Sequence, residues 1–130
     1  MFYEKELNKA IKQYYIDDDI ITYRGTSEKY YKNKKVGDTF EGKVFYSTSV
    51  KYEQAEVFAE DITEYSEDGS KSILLEIKVP KGKNALYIGK NTNYAPDGYT
   101  VNEYELLLSN KNKYKVENIK DGKITLEVIS

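Results

Sequence analysis

The stretch SILLEIKVPKGKNALYI, residues 72–88, decides the fold. Ile73, Leu75, Ile77 and Val79 recur at every second position, the period of a strand with one face turned to a core. Pro80-Lys81-Gly82 ends that strand, because proline has no N–H to give and glycine accepts turn geometry. Ala85 to Ile88 then read as a short strand. Toward the C-terminus, Glu103 to Leu108, Tyr114 to Ile119 and Lys123 to Ile129 read as further strands. Asn110-Lys111-Asn112 and Asp121-Gly122 separate them, the second a tight-hairpin signal. Toward the N-terminus, Tyr52 to Thr63 reads as a helix, with Tyr52, Ala55, Ala59 and Ile62 on one face and Phe58 beside them. Thr39 to Ser49 carries a strand signal centred on Val44, Phe45 and Tyr46, and residues 26–38 form a polar connection. Ile20 to Arg24 is a short β-rich run followed by Gly25. Glu4 to Tyr15 is a helix on Leu7, Ala10, Ile11 and Tyr14; Asp17-Asp18-Asp19 should end it, since acids at a helix C-terminus oppose the dipole. This order is α+β and lacks the βαβ alternation of a doubly wound sheet.

A chain of 130 residues suits one domain with a genuine core. It has no cysteine, histidine or tryptophan. That excludes Cys/His zinc sites, Ser-His-Asp triads, Cys-His pairs and disulfide frameworks. Catalysis must rest on carboxylates, hydroxyls, backbone amides, lysines or Arg24, the single arginine among 20 basic residues. The formal charge of -2 argues against a general nucleic-acid binder. No apolar run is long enough for a transmembrane span, and MFYEKELNKA lacks the basic-then-apolar order of a signal peptide.

Three segments carry chemistry. In Ile21-Thr22-Tyr23-Arg24-Gly25, an arginine at a strand end followed by glycine can meet a phosphate or carboxylate while a ligand approaches the backbone. A solvated basic residue ending a strand is the plainer reading. In Val44-Phe45-Tyr46-Ser47-Thr48-Ser49, an extended chain points Ser47 and Ser49 one way and Thr48 the other. Those hydroxyls could orient a carboxylate or cap a helix. In Asn102-Glu103-Tyr104-Glu105-Leu106-Leu107-Leu108, Glu103 and Glu105 share one strand face about 7 Å apart. They read either as a solvated acidic row or as a carboxylate pair that holds a sugar hydroxyl and stabilises developing positive charge.

Together, YRG at 23–25, FYSTS at 45–49 and EYE at 103–105 resemble the signature of the bacterial-toxin mono-ADP-ribosyltransferases of the arginine / Ser-Thr-Ser / Glu-x-Glu class. The resemblance spans about residues 7–129. It implies a mixed, mostly antiparallel two-sheet core with few helices, residues 1–130 forming a single catalytic domain, and NAD as co-substrate with no metal. It implies that Arg24 binds the pyrophosphate side of NAD and that the Gly25 backbone approaches the nicotinamide amide. Ser47 would position the catalytic Glu105, which grips the ribose 2′-hydroxyl and stabilises the oxocarbenium-like centre. Thr48 and Ser49 would shape the strand beneath the cofactor, and Phe58 would pack near the nicotinamide. Glu103 resembles the glutamate that accompanies transfer to arginine, and residues 93–101, with Tyr94 and Tyr99, look like the loop that meets the protein substrate.

Domains of this family usually carry several helices ahead of the YRG strand, and this sequence shows one, residues 4–15. That reads as a minimal enzyme, one piece of a longer chain, or a subunit completed by a partner. The partners the resemblance implies are a protein acceptor presenting an arginine and a translocation or N-terminal completing partner. NAD glycohydrolysis and a non-catalytic adaptor on the same fold are the alternatives.

Overall fold

The computed structural model describes residues 2–50, 71–89 and 105–130. The expected helix 52–63, Phe58, the loop 93–101 and Glu103 lie outside the described residues. Within them, the helix α1 (Phe2–Ile11) precedes eight strands: β1 (Ile20–Ser27), β2 (Thr39–Glu41), β3 (Tyr46–Ser49), β4 (Ser72–Val79), β5 (Leu86–Gly89), β6 (Glu105–Leu108), β7 (Lys113–Lys120) and β8 (Lys123–Val128). They hydrogen-bond in the order β2-β7-β8-β4-β1-β3-β6-β5. The β4–β8 pair is parallel and the other pairs are antiparallel. This is the mixed, mostly antiparallel α+β architecture expected, with the described strands joined in one continuous sheet where two were expected. Two halves meet at β1 and β3, which pair at one register, Tyr23 with Ser49. By contrast β1 pairs β4 along its whole length, from Ile20–Val79 to Ser27–Ser72.

The alternation in 72–79 sorts as the sequence predicts. Leu75, Ile77 and Val79 are buried in one cluster with Tyr46, Leu106, Leu108, Tyr114, Val116, Ile124, Leu126 and Val128, so both halves of the sheet contribute to one core. Tyr114 is fully buried and stacks between Phe40 and Tyr46, with ring centroids at 5.6 and 5.2 Å. Gly42 makes room for it: a Cβ there would lie 2.8 Å from Tyr114 Cε2. The Asp121-Gly122 hairpin forms as expected, both residues taking positive φ (34° and 76°).

Three boundaries differ from expectation. The helix ends at Ile11, not Tyr15. Beyond it Asn84 Nδ2 donates to the Lys12 and Tyr14 carbonyls, and Tyr15 bridges to Asn84, so tertiary contacts replace the last helical turn. Tyr14 consequently stands exposed, while Ile11 is buried. The segment 39–49 splits into β2 and β3, because Lys43 takes a positive φ of 61° that interrupts the extended chain, leaving Val44 exposed. Finally, β1 continues through Gly25 to Ser27, carried by its complete ladder with β4, before a 3-10 turn at Glu28–Tyr30.

Candidate active site

The antiparallel β3–β6 pair sets Ser49 opposite Glu105, Ser47 opposite Leu107 and Thr48 opposite Leu106. Partners across a ladder share a face, so Ser47, Ser49 and Glu105 project together. Ser47 Oγ donates to Glu105 Oε2 at 2.6 Å, a short charge-assisted hydrogen bond that fixes the carboxylate's orientation. Both side chains are half-buried and Ser49 is buried.

Thr48 faces the other way. Thr22 Oγ1 donates to Thr48 Oγ1 at 2.5 Å, and Thr48 Oγ1 donates to the Leu106 carbonyl at 2.7 Å. Both threonines are buried. This relay joins β1, β3 and β6 directly behind the Ser47–Glu105 contact, at the residues next to each. A buried hydroxyl with partners costs little, whereas one without them costs about 1–3 kcal/mol, so the relay resists any slip of these strands.

Arg24 lies in β1 opposite Leu75 and shares its parity with Thr22, on the Thr48 face of the sheet. Its Nη1 donates to the Ser47 carbonyl at 3.0 Å, and its guanidinium sits 5.4 Å from the Tyr46 ring centroid. The arginine therefore braces the backbone of the residue whose hydroxyl holds Glu105. A cleft of about 450 Å³ opens beside it, lined by Arg24, Tyr31, Lys34, Phe40 and Tyr46 among others; neither Ser47 nor Glu105 lines that cleft. Gly25 falls on the Ser47 and Glu105 side of β1, where it leaves the strand without a side chain.

Burial pushes the Tyr31 and Tyr114 hydroxyls well above the usual tyrosine range, so both stay neutral. Tyr31 and Tyr46 share a hydrogen bond of 3.0 Å between their hydroxyls. The structure thus brings Arg24, Ser47 and Glu105 into one contact chain. Thr22 is a residue that sequence reasoning does not single out; its signal is a hydroxyl two positions before Arg24 on the same strand face.

The sheet thus joins an arginine, a serine and a glutamate across three strands. The sequence profile of the ADP-ribosyltransferase exoenzyme family matches residues 4–128, and the chain belongs to that family. It is 35% identical over 113 residues to the NAD(+)--arginine ADP-ribosyltransferase EFV of Enterococcus faecalis, covering 87% of this chain and 21% of the relative. The chain thus spans about a fifth of the length of that curated relative. Among solved structures, the fold is similar to an ADP-ribosyltransferase from Clostridium botulinum, with a TM-score of 0.71 at 15% identity, covering 97% of this chain and 68% of the other. It is also similar to the ADP-ribosylating toxin BECa of C. perfringens, solved with NADH, with a TM-score of 0.66 at 23% identity, covering 96% and 34%. Among the described residues no helix is long and apolar enough to cross a membrane.

Proposed function

We propose that this chain is an NAD-dependent mono-ADP-ribosyltransferase, folded as a single domain, that transfers ADP-ribose to an arginine of a protein acceptor and releases nicotinamide. The observation that carries this reading is the 2.6 Å contact from Ser47 Oγ to Glu105 Oε2, braced through the Ser47 carbonyl by Arg24. A carboxylate with one oxygen held by a serine presents its other oxygen to a ligand hydroxyl, and its charge opposes a developing cation. This donor set fits the ribose end of NAD. When bound, NAD supplies an activated ribosyl carbon whose leaving group is nicotinamide.

In this reading Glu105 takes the ribose 2′-hydroxyl and stabilises the oxocarbenium-like carbon. Ser47 keeps Glu105 at the required angle, while Thr48 and Ser49 hold β3 in register. Gly25 offers backbone to the nicotinamide amide, and Phe58 packs against that ring. Arg24 keeps Ser47 in place and directs positive charge toward the pyrophosphate. Glu103 holds the acceptor guanidinium, a planar fork that a carboxylate matches through two parallel hydrogen bonds. Tyr94 and Tyr99 contact the acceptor protein, and a translocation or N-terminal completing partner works with the domain. The 35%-identical relative, named for arginine transfer, supports the choice of acceptor.

The test is nicotinamide release from labelled NAD, measured with and without agmatine as a small guanidino acceptor. Labelled agmatine, and release that rises with agmatine, is the expected result. Release that ignores agmatine makes the chain a glycohydrolase, and no NAD binding by calorimetry makes it an adaptor. Glu103→Gln should lower transfer to agmatine more than it lowers NAD hydrolysis.

A further inference from the structure

Nineteen of the chain's 20 basic residues are lysine. The remaining one, Arg24, is half-buried in a central strand, tied to the Ser47 carbonyl at 3.0 Å and packed over Tyr46. We infer that the chain is excluded from its own acceptor pool: it offers its active site no free guanidinium, and so does not ADP-ribosylate itself. This rests on the arginine-transfer reading above and concerns the regulation of that same site.

The chemistry of the step sets the requirement. The bond from the ribose anomeric carbon to the nicotinamide nitrogen breaks, and its electron pair leaves with nicotinamide. A new bond forms from that carbon to a guanidine nitrogen, which gives up a proton to a carboxylate and then to solvent. An acceptor must therefore reach into another molecule's cleft on a free, exposed arm. Arg24 can do so only by leaving the contacts that hold Ser47, which dismantles the site of the molecule it belongs to.

Lysine does not replace it as an acceptor. Its ammonium is a compact tetrahedral charge that lacks the planar fork of guanidinium, so a carboxylate cannot orient it through two parallel hydrogen bonds. Lysine nevertheless occupies places that physically favour arginine. Lys34 lies 4.6 Å from the Phe40 ring centroid and Lys29 lies 5.2 Å from that of Tyr30. Cation–π contacts of this kind more often use arginine. Lys78 pairs with Glu117 at 2.8 Å and Lys123 with Glu76 at 3.1 Å, where a guanidinium could bond both carboxylate oxygens. The cationic surface is thus built without the acceptor group, even at positions where that group would bind better.

The experiment incubates the protein with labelled NAD and agmatine, and compares it with a double variant, Lys35→Arg and Lys120→Arg. Both positions are exposed, and both substitutions keep the charge. Label on the parent chain should appear about 10⁴-fold more slowly than label on agmatine, the discrimination expected when a site built to hydrogen-bond a group is denied it. The variant should modify agmatine at the parental rate and acquire ADP-ribose at residues 35 or 120, mapped by peptide mass spectrometry. ADP-ribose on Arg24, or parent labelling as fast as agmatine labelling, overturns the inference. So does a variant that stays unlabelled while agmatine is modified. If agmatine itself is not modified, the arginine reading falls first and takes the inference with it, a result the agmatine signal makes separately visible.

Discussion

Strands β1, β3 and β6 carry opposite jobs on their two faces. One face bears the half-buried Ser47 and Glu105, joined by a 2.6 Å hydrogen bond, with the buried Ser49 beside them. The other bears Thr22, Thr48, Leu106 and Leu108, all buried. Residues one position apart therefore do chemistry and hold the fold, because successive side chains of a strand alternate between faces. Arg24 crosses this division. Its side chain belongs to the buried-core face, yet its hydrogen bond goes to the backbone of Ser47. The lesson is that the reactive face is held from behind: its geometry is set by the relay and the arginine that lie across the sheet. Substitutions on the two faces should accordingly separate activity from stability.

The largest effect belongs to Glu105→Gln, which keeps shape and removes charge. It should lower transfer to agmatine by about 10³-fold, the scale of losing one preorganised electrostatic partner of the transition state, with the melting temperature nearly unchanged. Comparable activity in the variant would break the division of labour between the faces. Next comes Arg24→Ala, which strips the brace from Ser47. Transfer should fall by about 10²-fold, and stability should fall too, by about 1–3 kcal/mol in denaturant melts, because the Ser47 carbonyl loses a charged donor. An activity loss with no stability loss would place Arg24 wholly with the reactive face.

Gly42→Ala sharpens the comparison from the other side. Its Cβ would meet Tyr114 Cε2 at 2.8 Å, and that ring is clamped between Phe40 and Tyr46. Overpacking should cost about 1–3 kcal/mol of stability while the NAD affinity of the folded protein stays unchanged. The smallest effect belongs to Tyr114→Phe. Tyr114 Oη and Asn112 Nδ2 are buried without a hydrogen-bond partner, so removing the hydroxyl should be neutral or stabilising by up to about 1 kcal/mol. It should also flatten the alkaline limb of the stability curve. Burial raises the Tyr114 pKa in the folded protein, so above about pH 10 the unfolded chain loses the proton first and stability declines. Phenylalanine has no proton to lose there.

Much of this division is legible in the sequence, and its limits are physical. The alternation of Ile73, Leu75, Ile77 and Val79 is a local signal and places β4 correctly. Asp121-Gly122 is likewise a local preference for positive φ. The spacing of Ser47 and Ser49 identifies which hydroxyls share a face. It does not show that Ser47 reaches Glu105, because that depends on the β3–β6 register across 58 positions of chain. The end of the helix is likewise set non-locally, since Asn84 captures the carbonyls of Lys12 and Tyr14 from 70 or more residues away. The extension of β1 through Gly25 has the same origin: its ladder with β4 outweighs the low strand preference of glycine. Tyr23 and Gly25 mark Arg24 in the sequence, but its contact with the Ser47 carbonyl depends on the fold.

The most direct test of the central claim, that Ser47 acts through Glu105, is a double-mutant cycle on agmatine transfer using Ser47→Ala, Glu105→Gln and the double variant. Residues joined by a hydrogen bond couple, whereas independent ones add. Ser47→Ala should cost about 10- to 100-fold when Glu105 is present, the worth of one charge-assisted hydrogen bond. In the Glu105→Gln background it should cost almost nothing further. A Ser47→Ala penalty of the same size in both backgrounds would contradict the account.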